Sequence, residues 1–221
     1  MKADKIFIKV CGIKDGENLN ELAALKPDYV GFIFTAKSPR FAIGLSYTYT
    51  TKVPKGIKKV GVFVNAHKDV IEEYANIHRL DAIQLHGDET PELCKALRRI
   101  GLEVIKVFNI PENPQMDFFK KLEDYKDNVD FFLFDTAGEN RGGNGSKFDW
   151  NILKEYPFDI PYFISGGIGP EDVDSLKKGL PSKCVGIDIN SKFEIAPGVK
   201  DIDKLKYFFF ALRNEQTDKT I

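Results

Sequence analysis

Cys11 and Asp135 each stand at the end of a short apolar run, Ile6 to Val10 and Phe131 to Phe134 respectively. A thiol and a carboxyl group facing one pocket could supply a base and an acid for proton transfer. Cys11 is open to a second reading, since free cysteine is among the residues most often buried as a small hydrophobe. Lys9, two residues earlier and on the same strand face, adds positive potential that favours a thiolate. Asp135 could instead cap the loop that follows it. Its inward parity and its apolar lead-in, Phe131 to Phe134, argue for a functional place. His86, after Ala82 to Leu85, could carry a proton, donate a hydrogen bond or be a satisfied structural histidine. Arg40, in Thr35-Ala36-Lys37-Ser38-Pro39-Arg40, has the fork geometry to grip a carboxylate or phosphate, although most loop arginines are simply solvated.

Eight strand-like runs must position these groups: Ile6 to Val10, Tyr29 to Phe34, Lys59 to Val64, Ala82 to Leu85, Glu103 to Phe108, Phe131 to Phe134, Tyr162 to Ile164 and Cys184 to Ile189. Helical patterns fall between most of them, at Glu17 to Leu25, Lys68 to His78, Pro91 to Ile100, Pro170 to Lys178 and Asp201 to Leu212, with a weaker one at Leu45 to Thr51. Eight such units in 221 residues predict an α/β fold, a single (β/α)8 TIM barrel spanning 1–213 with a polar tail at 214–221. An open doubly wound sheet is the competing architecture. Val10-Cys11-Gly12-Ile13 lacks the glycine fingerprint such a sheet carries after its first strand.

Side-chain alternation then assigns faces. Inward residues are expected to be Phe7, Lys9 and Cys11; Ala82, Gln84 and His86; Val104, Lys106 and Phe108; Phe131, Leu133 and Asp135; and Gly186, Asp188 and Asn190. The alternate faces, including Ile105 and Val107, are aliphatic and suit burial under helices. Closure makes the first and last strands neighbours, so Lys9 and Asp188 are expected to form an ion pair, with Lys106 a candidate to join them. The segments after the last two strands, Ser165-Gly166-Gly167-Ile168-Gly169 and Asn190-Ser191-Lys192, occupy the positions where barrels of this kind bind phosphate through backbone N–H groups. The long glycine-rich loop Thr136 to Ser146 reads either as a functional cover or as a surface excursion.

Composition narrows the function classes. Thirty-two basic residues are mixed with 33 acidic ones, giving a net charge of -1 and no polybasic stripe. Nucleic acid and anionic membrane surfaces are therefore not expected partners. No run of about 18 apolar residues suggests a membrane span, and the first residues lack a signal-peptide pattern. Three cysteines, Cys11, Cys94 and Cys184, argue for a reducing, cytoplasmic setting, with Cys94 and Cys184 as packing residues. The histidines and cysteines do not fall at metal-ligand spacing, so no metal site is inferred. Oligomeric state is not legible.

Taken in order, Lys9-Val10-Cys11-Gly12-Ile13, Gly31-Phe32-Ile33-Phe34, Lys37-Ser38-Pro39-Arg40, Val60-Gly61-Val62-Phe63-Val64-Asn65, Gln84-Leu85-His86-Gly87 and Phe134-Asp135-Thr136 resemble phosphoribosylanthranilate isomerase of tryptophan biosynthesis. Gly142-Gly143-Asn144-Gly145, Phe148-Asp149-Trp150, Ser165-Gly166-Gly167-Ile168, Gly186 to Ser191 and Pro197-Gly198-Val199-Lys200-Asp201 continue the match. The sequence departs where the family usually has threonine (Asn144), serine (Asn190) and often glycine (Lys192). The resemblance implies conversion of N-(5-phosphoribosyl)anthranilate to 1-(o-carboxyphenylamino)-1-deoxyribulose 5-phosphate, an Amadori rearrangement of a phosphorylated small molecule without a cofactor. It implies Cys11 as base, Asp135 as acid and Arg40 on the anthranilate carboxylate; His86 and Asp188, both read as inward near strand ends, are expected to line the substrate as well. The backbone of Gly166, Gly167, Asn190 and Ser191 would hold the phosphate. The histidine-pathway isomerase is the near rival, but it is expected to use aspartates on strands one and five, where this sequence has Cys11 and Phe108-Asn109. Indole-glycerol-phosphate synthase would need a lysine, a glutamate and a longer N-terminal extension. A non-catalytic phosphoribosyl-binding barrel would lack the acid or the base.

Overall fold

Parallel strands β1 (Phe7–Val10), β2 (Tyr29–Ile33), β3 (Lys58–Phe63), β4 (Ala82–Leu85), β5 (Glu103–Ile110), β6 (Phe131–Thr136), β7 (Tyr162–Ile164) and β8 (Cys184–Ile189) close into a barrel in chain order in the computed structural model. The structure describes residues 5–111, 114, 117–136 and 147–213. The expected loop residues 137–146, Asn144 among them, and the tail 214–221 lie outside the described residues. The helices are α1 (Gly16–Ala24), α2 (Tyr47–Thr50), α3 (Lys68–His78), α4 (Pro91–Arg99), α5 (Val173–Lys178) and α6 (Ile202–Arg213). Local chemistry sets their starts. Asp15 accepts from the Asn18 N–H at the head of α1, and Thr90 with Pro91 opens α4. The segment predicted as a helix over Leu45 to Thr51 forms only the single turn of α2. Short 3₁₀ stretches, Phe118–Tyr125 and Trp150–Glu155, stand in the helix positions after β5 and β6. A two-strand hairpin, β9 (Glu194–Ala196) and β10 (Val199–Lys200), follows β8 and precedes α6.

The barrel separates two apolar layers. Outside it, Ile8, Val10, Ile83, Leu85, Ile187 and Ile189 pack under the helices, as alternation predicted. Inside, Tyr29, Val60, Ala82, Ile105, Val107, Leu133 and Phe163 form a separate cluster with Phe7 and Phe131 packed against it. Aromatic edges interlock there, with centroids 5.4 Å apart for Tyr29–Phe163 and 5.3 Å for Phe131–Phe163. Gly186 makes room for this layer, since a Cβ would lie 2.5 Å from the Phe7 carbonyl oxygen and 2.7 Å from the Phe163 ring. The lower half of the barrel is thus an apolar plug, and polar inward residues collect toward the C-terminal ends of the strands.

One face assignment is corrected. In β5 it is Ile105 and Val107 that point inward, paired in register with Phe131 and Leu133, so Val104, Lys106 and Phe108 face outward. Both faces of β5 are apolar, so alternation alone could not choose between them, and a lysine proved a misleading marker of the interior. Lys106 does not join Lys9 and Asp188. Its ammonium lies 3.0 Å from Glu89 Oε2 and 2.8 Å from the Gly87 carbonyl oxygen, a buried pair that ties down the turn after β4. His78, the last residue of α3, is buried, stacked on Phe34 and 3.1 Å from Thr50 Oγ1. No described helix is long and apolar enough to cross a membrane.

Candidate active site

At the C-terminal mouth of the barrel lies a cavity of about 720 Å³. It brings together all nine residues singled out from the sequence: Cys11 after β1, Arg40 from the loop after β2, His86 after β4, Asp135 in β6, Gly166 and Gly167 after β7, and Asp188, Asn190 and Ser191 at the end of β8.

Its floor is an ion pair. β1 and β8 are in register with Lys9 beside Asp188, and Lys9 Nζ lies 2.9 Å from Asp188 Oδ2 with the lysine side chain fully buried. Burial pulls the Lys9 ammonium toward neutrality, but the charges of Asp188 and Cys11 outweigh it and raise its pKa. Gly31 in β2 keeps the space above Lys9 open. A Cβ there would sit 2.9 Å from Cys11 Sγ and 3.3 Å from Lys9 Nζ. Burial pushes the Cys11 thiol up, Lys9 pulls it back down, and the net shift is upward. Lys9 therefore does not by itself outweigh burial, and Lys200 adds a second downward pull.

Asp135 is buried, and its pKa is raised to about 6. Burial is the main cause and the charge of Asp188 adds to it; hydrogen bonds from the Thr136 N–H, at 2.9 Å, and the Ser165 side chain oppose. His86 Nε2 stands 3.7 Å from Asp135 Oδ2. Burial drives the His86 pKa down to about 4, against a hydrogen bond with Asn109, so the ring is neutral at neutral pH. Asn109 faces inward because of the corrected β5 register, paired with Asp135.

Arg40 is already engaged. Its Nε lies 2.9 Å from Glu194 Oε1 and its Nη2 lies 2.7 Å from Oε2. Glu194 also accepts from Lys200 Nζ at 2.9 Å. Burial pushes the Glu194 carboxyl up, yet Arg40 and Lys200 together hold it below its usual range. Lys200 donates in addition to Asn190 Oδ1 at 2.7 Å, so the Asn190 side-chain oxygen is turned to Lys200 and not toward the cavity as an anion contact. The Gly166 and Gly167 backbones are left-handed, with φ of +91° and +64°, and a Cβ on Gly166 would lie 2.1 Å from Thr136 Oγ1. Pro170–Asp172 and α5 follow this turn directly.

Glu194, Lys200 and Asn109 went unassigned in the sequence. A signal existed for the first two. Pro197-Gly198 between Ile195-Ala196 and Val199-Lys200 is a turn dipeptide between strand-like residues, and it brings both ends of the hairpin to the mouth. Asn109 was masked by the wrong parity of its strand.

The architecture and the position of its polar mouth make this a (β/α)8-barrel protein with the site arrangement of a phosphosugar enzyme. The family model for N-(5'-phosphoribosyl)anthranilate (PRA) isomerase matches residues 8–211. An N-(5'-phosphoribosyl)anthranilate isomerase of Parabacteroides distasonis is 44% identical over 205 residues, covering 92% of this chain and 91% of that protein. The crystal structure of phosphoribosyl anthranilate isomerase from Thermotoga maritima superposes with a TM-score of 0.82 at 30% identity, covering 95% of this chain and 100% of that one. A phosphoribosyl anthranilate isomerase in complex with reduced 1-(o-carboxyphenylamino)-1-deoxyribulose 5-phosphate superposes with a TM-score of 0.77 at 29% identity and the same coverage. The chain belongs to the N-(5'-phosphoribosyl)anthranilate isomerase family.

Proposed function

We propose that this chain isomerises N-(5'-phosphoribosyl)anthranilate to 1-(o-carboxyphenylamino)-1-deoxyribulose 5-phosphate, with Asp135 as acid and Cys11 as base. The observation that carries the assignment is that a buried carboxyl group with a raised pKa and a thiol flanked by two cations line one cavity. Asp135 donates its proton to the ribose ring oxygen. The C1–O bond breaks as the nitrogen lone pair forms a C1=N bond, giving the open-chain Schiff base. Cys11 thiolate then takes the proton from C2, the electron pair forms C1=C2, and the nitrogen is neutralised. The resulting enolamine loses its hydroxyl proton and gains one at C1, leaving the C2 ketone. No electrons leave the molecule, so no redox partner is needed.

The surroundings of each group bear on these steps. An aspartic acid of ordinary pKa is about one part in a thousand protonated at pH 7; at a pKa of about 6 the fraction is about one in ten. Lys9 and Lys200 both pull toward the Cys11 thiolate, while burial outweighs them and leaves the thiol's pKa raised, so the reacting thiolate is the minor form. Arg40 takes the anthranilate carboxylate through the guanidinium edge that Glu194 leaves open. The Gly166–Gly167 turn and the start of the segment Asn190–Ser191 take the phosphate through backbone N–H groups. Neutral His86 and the Asp188 carboxylate border the sugar. Residues 1–213 act as one catalytic barrel, and the three free, buried cysteines suit a reducing cytoplasm. Steady-state turnover of N-(5'-phosphoribosyl)anthranilate generated in situ, compared among wild type, Cys11→Ser and Asp135→Asn, is the test. Turnover by wild type with severe loss in both variants supports the roles, and wild-type inactivity overturns the reading.

A further inference from the structure

Two cations at the cavity mouth share one carboxylate. The Glu194 side chain is only 5% exposed, yet it receives Arg40 through two nitrogens and Lys200 through a third. Arg40 is 13% exposed at its side chain and Lys200 is fully buried. A guanidinium has two edges that can meet a carboxylate in a fork. The Nε/Nη2 edge is taken by Glu194, while Nη1 has no hydrogen-bond partner among the described residues. The remaining Nη1/Nη2 edge belongs to a residue that lines the cavity.

The contacts form a closed ring around the residue next to Cys11. A Cβ on Gly12 would lie 2.8 Å from Arg40 Cδ and 2.8 Å from Asn190 Oδ1, so both side chains cross directly over it. Asn190 Oδ1 and the Asn190 carbonyl oxygen accept from Lys200, and Lys200 returns to Glu194. Arg40, Gly12, Asn190, Lys200 and Glu194 thus fix one another. The hairpin holds the ring in place from behind, because Glu194 Oε1 also accepts the Gly198 N–H at 3.1 Å across its turn.

From this geometry we infer that Glu194 is a positioning residue for substrate selection: it holds the Arg40 guanidinium so that its open edge receives the carboxylate of the aminobenzoate half of the substrate. Arg40 and Lys200 share this one carboxylate, and the guanidinium edge it leaves open is a fork for an arriving carboxylate. A long, flexible arginine without Glu194 would have to be ordered by the substrate itself, and binding would bear that cost. Glu194 does not touch the reacting carbons, so its loss is felt in recognition more than in turnover. The inference rests on the assignment of Arg40 made above.

The test uses Glu194→Gln, which keeps shape and removes charge, and Glu194→Asp, which keeps charge and shortens the reach. Four quantities are read for each: KM and kcat for N-(5'-phosphoribosyl)anthranilate, the Kd of reduced 1-(o-carboxyphenylamino)-1-deoxyribulose 5-phosphate, and the Kd of ribose 5-phosphate, which lacks the aromatic carboxylate. Glu194→Gln is expected to raise KM and the Kd of the reduced product analogue by about tenfold or more, the scale of a lost charge-assisted hydrogen bond. Its kcat should stay within about threefold and its ribose 5-phosphate affinity within about twofold. Glu194→Asp should fall between it and wild type, and keeps the inference testable if the glutamine variant does not fold. In an Arg40→Gln background the Glu194→Gln change should add less than about twofold, because the residue it positions is gone. An unchanged KM, or a parallel loss of ribose 5-phosphate affinity, overturns the inference. If Arg40→Gln raises KM and Glu194→Gln does not, only the positioning role falls. If Arg40→Gln also leaves KM unchanged, the Arg40 assignment falls and the positioning role falls with it.

Discussion

Replacing Asp135 by Asn should stabilise the protein above pH 6 while abolishing its acid catalyst. The carboxyl group is buried and its pKa is raised from 3.8 to about 6, chiefly by burial and then by the charge of Asp188. A folded-state pKa above the unfolded value means that folding favours the protonated form. The stability associated with that form is fully present below about pH 3.8 and is lost as pH rises through about 6. A shift of about 2 units corresponds to about 3 kcal/mol of destabilisation in the wild type above pH 6. Asparagine is neutral throughout, nearly isosteric, and its oxygen can still accept the Thr136 N–H. The unfolding free energy of Asp135→Asn minus that of wild type should therefore grow by about 2–3 kcal/mol from pH 4 to pH 8. Titrating groups not coupled to Asp135 cancel in the difference. Urea unfolding followed by the fluorescence of Trp150, the chain's single tryptophan, gives both numbers. A difference that stays flat between pH 4 and pH 8 would refute the burial argument. A difference that shrinks would mean that Asp135 is held ionised by a partner.

Three further outcomes follow from the same contacts. Lys9→Met leaves Asp188 buried without its counter-ion and should cost about 3–5 kcal/mol by urea unfolding, with Lys9→Met/Asp188→Asn recovering part of it; equal stability of wild type and Lys9→Met would show that the pair is neutralised by other means. Gly31→Ala places a methyl group 2.9 Å from the Cys11 thiol, and should lower kcat with an overpacking cost of about 1–3 kcal/mol in stability; unchanged kcat would separate the thiol's position from its chemistry. Arg40→Ala should raise KM for N-(5'-phosphoribosyl)anthranilate by about tenfold or more and leave ribose 5-phosphate affinity nearly unchanged; the reverse pattern would mean that the two ends of the substrate have been exchanged.

Much of the site was legible because a barrel converts strand order into position. Cys11, His86, Asp135 and Asp188 were placed by two facts, the end of an apolar run and the parity of that run, and all four meet in one cavity. The Lys9–Asp188 pair followed from closure alone, since β1 and β8 must be neighbours and a buried charge needs a partner. Parity failed in β5, where Val104, Ile105, Lys106, Val107 and Phe108 give two nearly equivalent faces. There the register with β6 decides, and register is a tertiary fact. The partner of Arg40 was hidden for a related reason. Glu194 lies 154 residues away, and its contact with Arg40 depends on how a hairpin after the last strand folds back over the mouth. Asn190 was read as a phosphate contact through its backbone, and the engagement of its side chain by the buried Lys200 was hidden in the same way.

Turnover of N-(5'-phosphoribosyl)anthranilate by wild type and by Cys11→Ser, with each protein shown to be folded and to bind the reduced product analogue, addresses the central claim most directly. A serine hydroxyl is nearly isosteric with the thiol and far less acidic, so the cavity is kept and the base is removed. Wild type is expected to be active, with a loss in kcat of about 10²–10⁴-fold in Cys11→Ser and a KM within a few-fold of wild type. Near wild-type turnover by Cys11→Ser would contradict that claim and return Cys11 to the role of a buried packing residue.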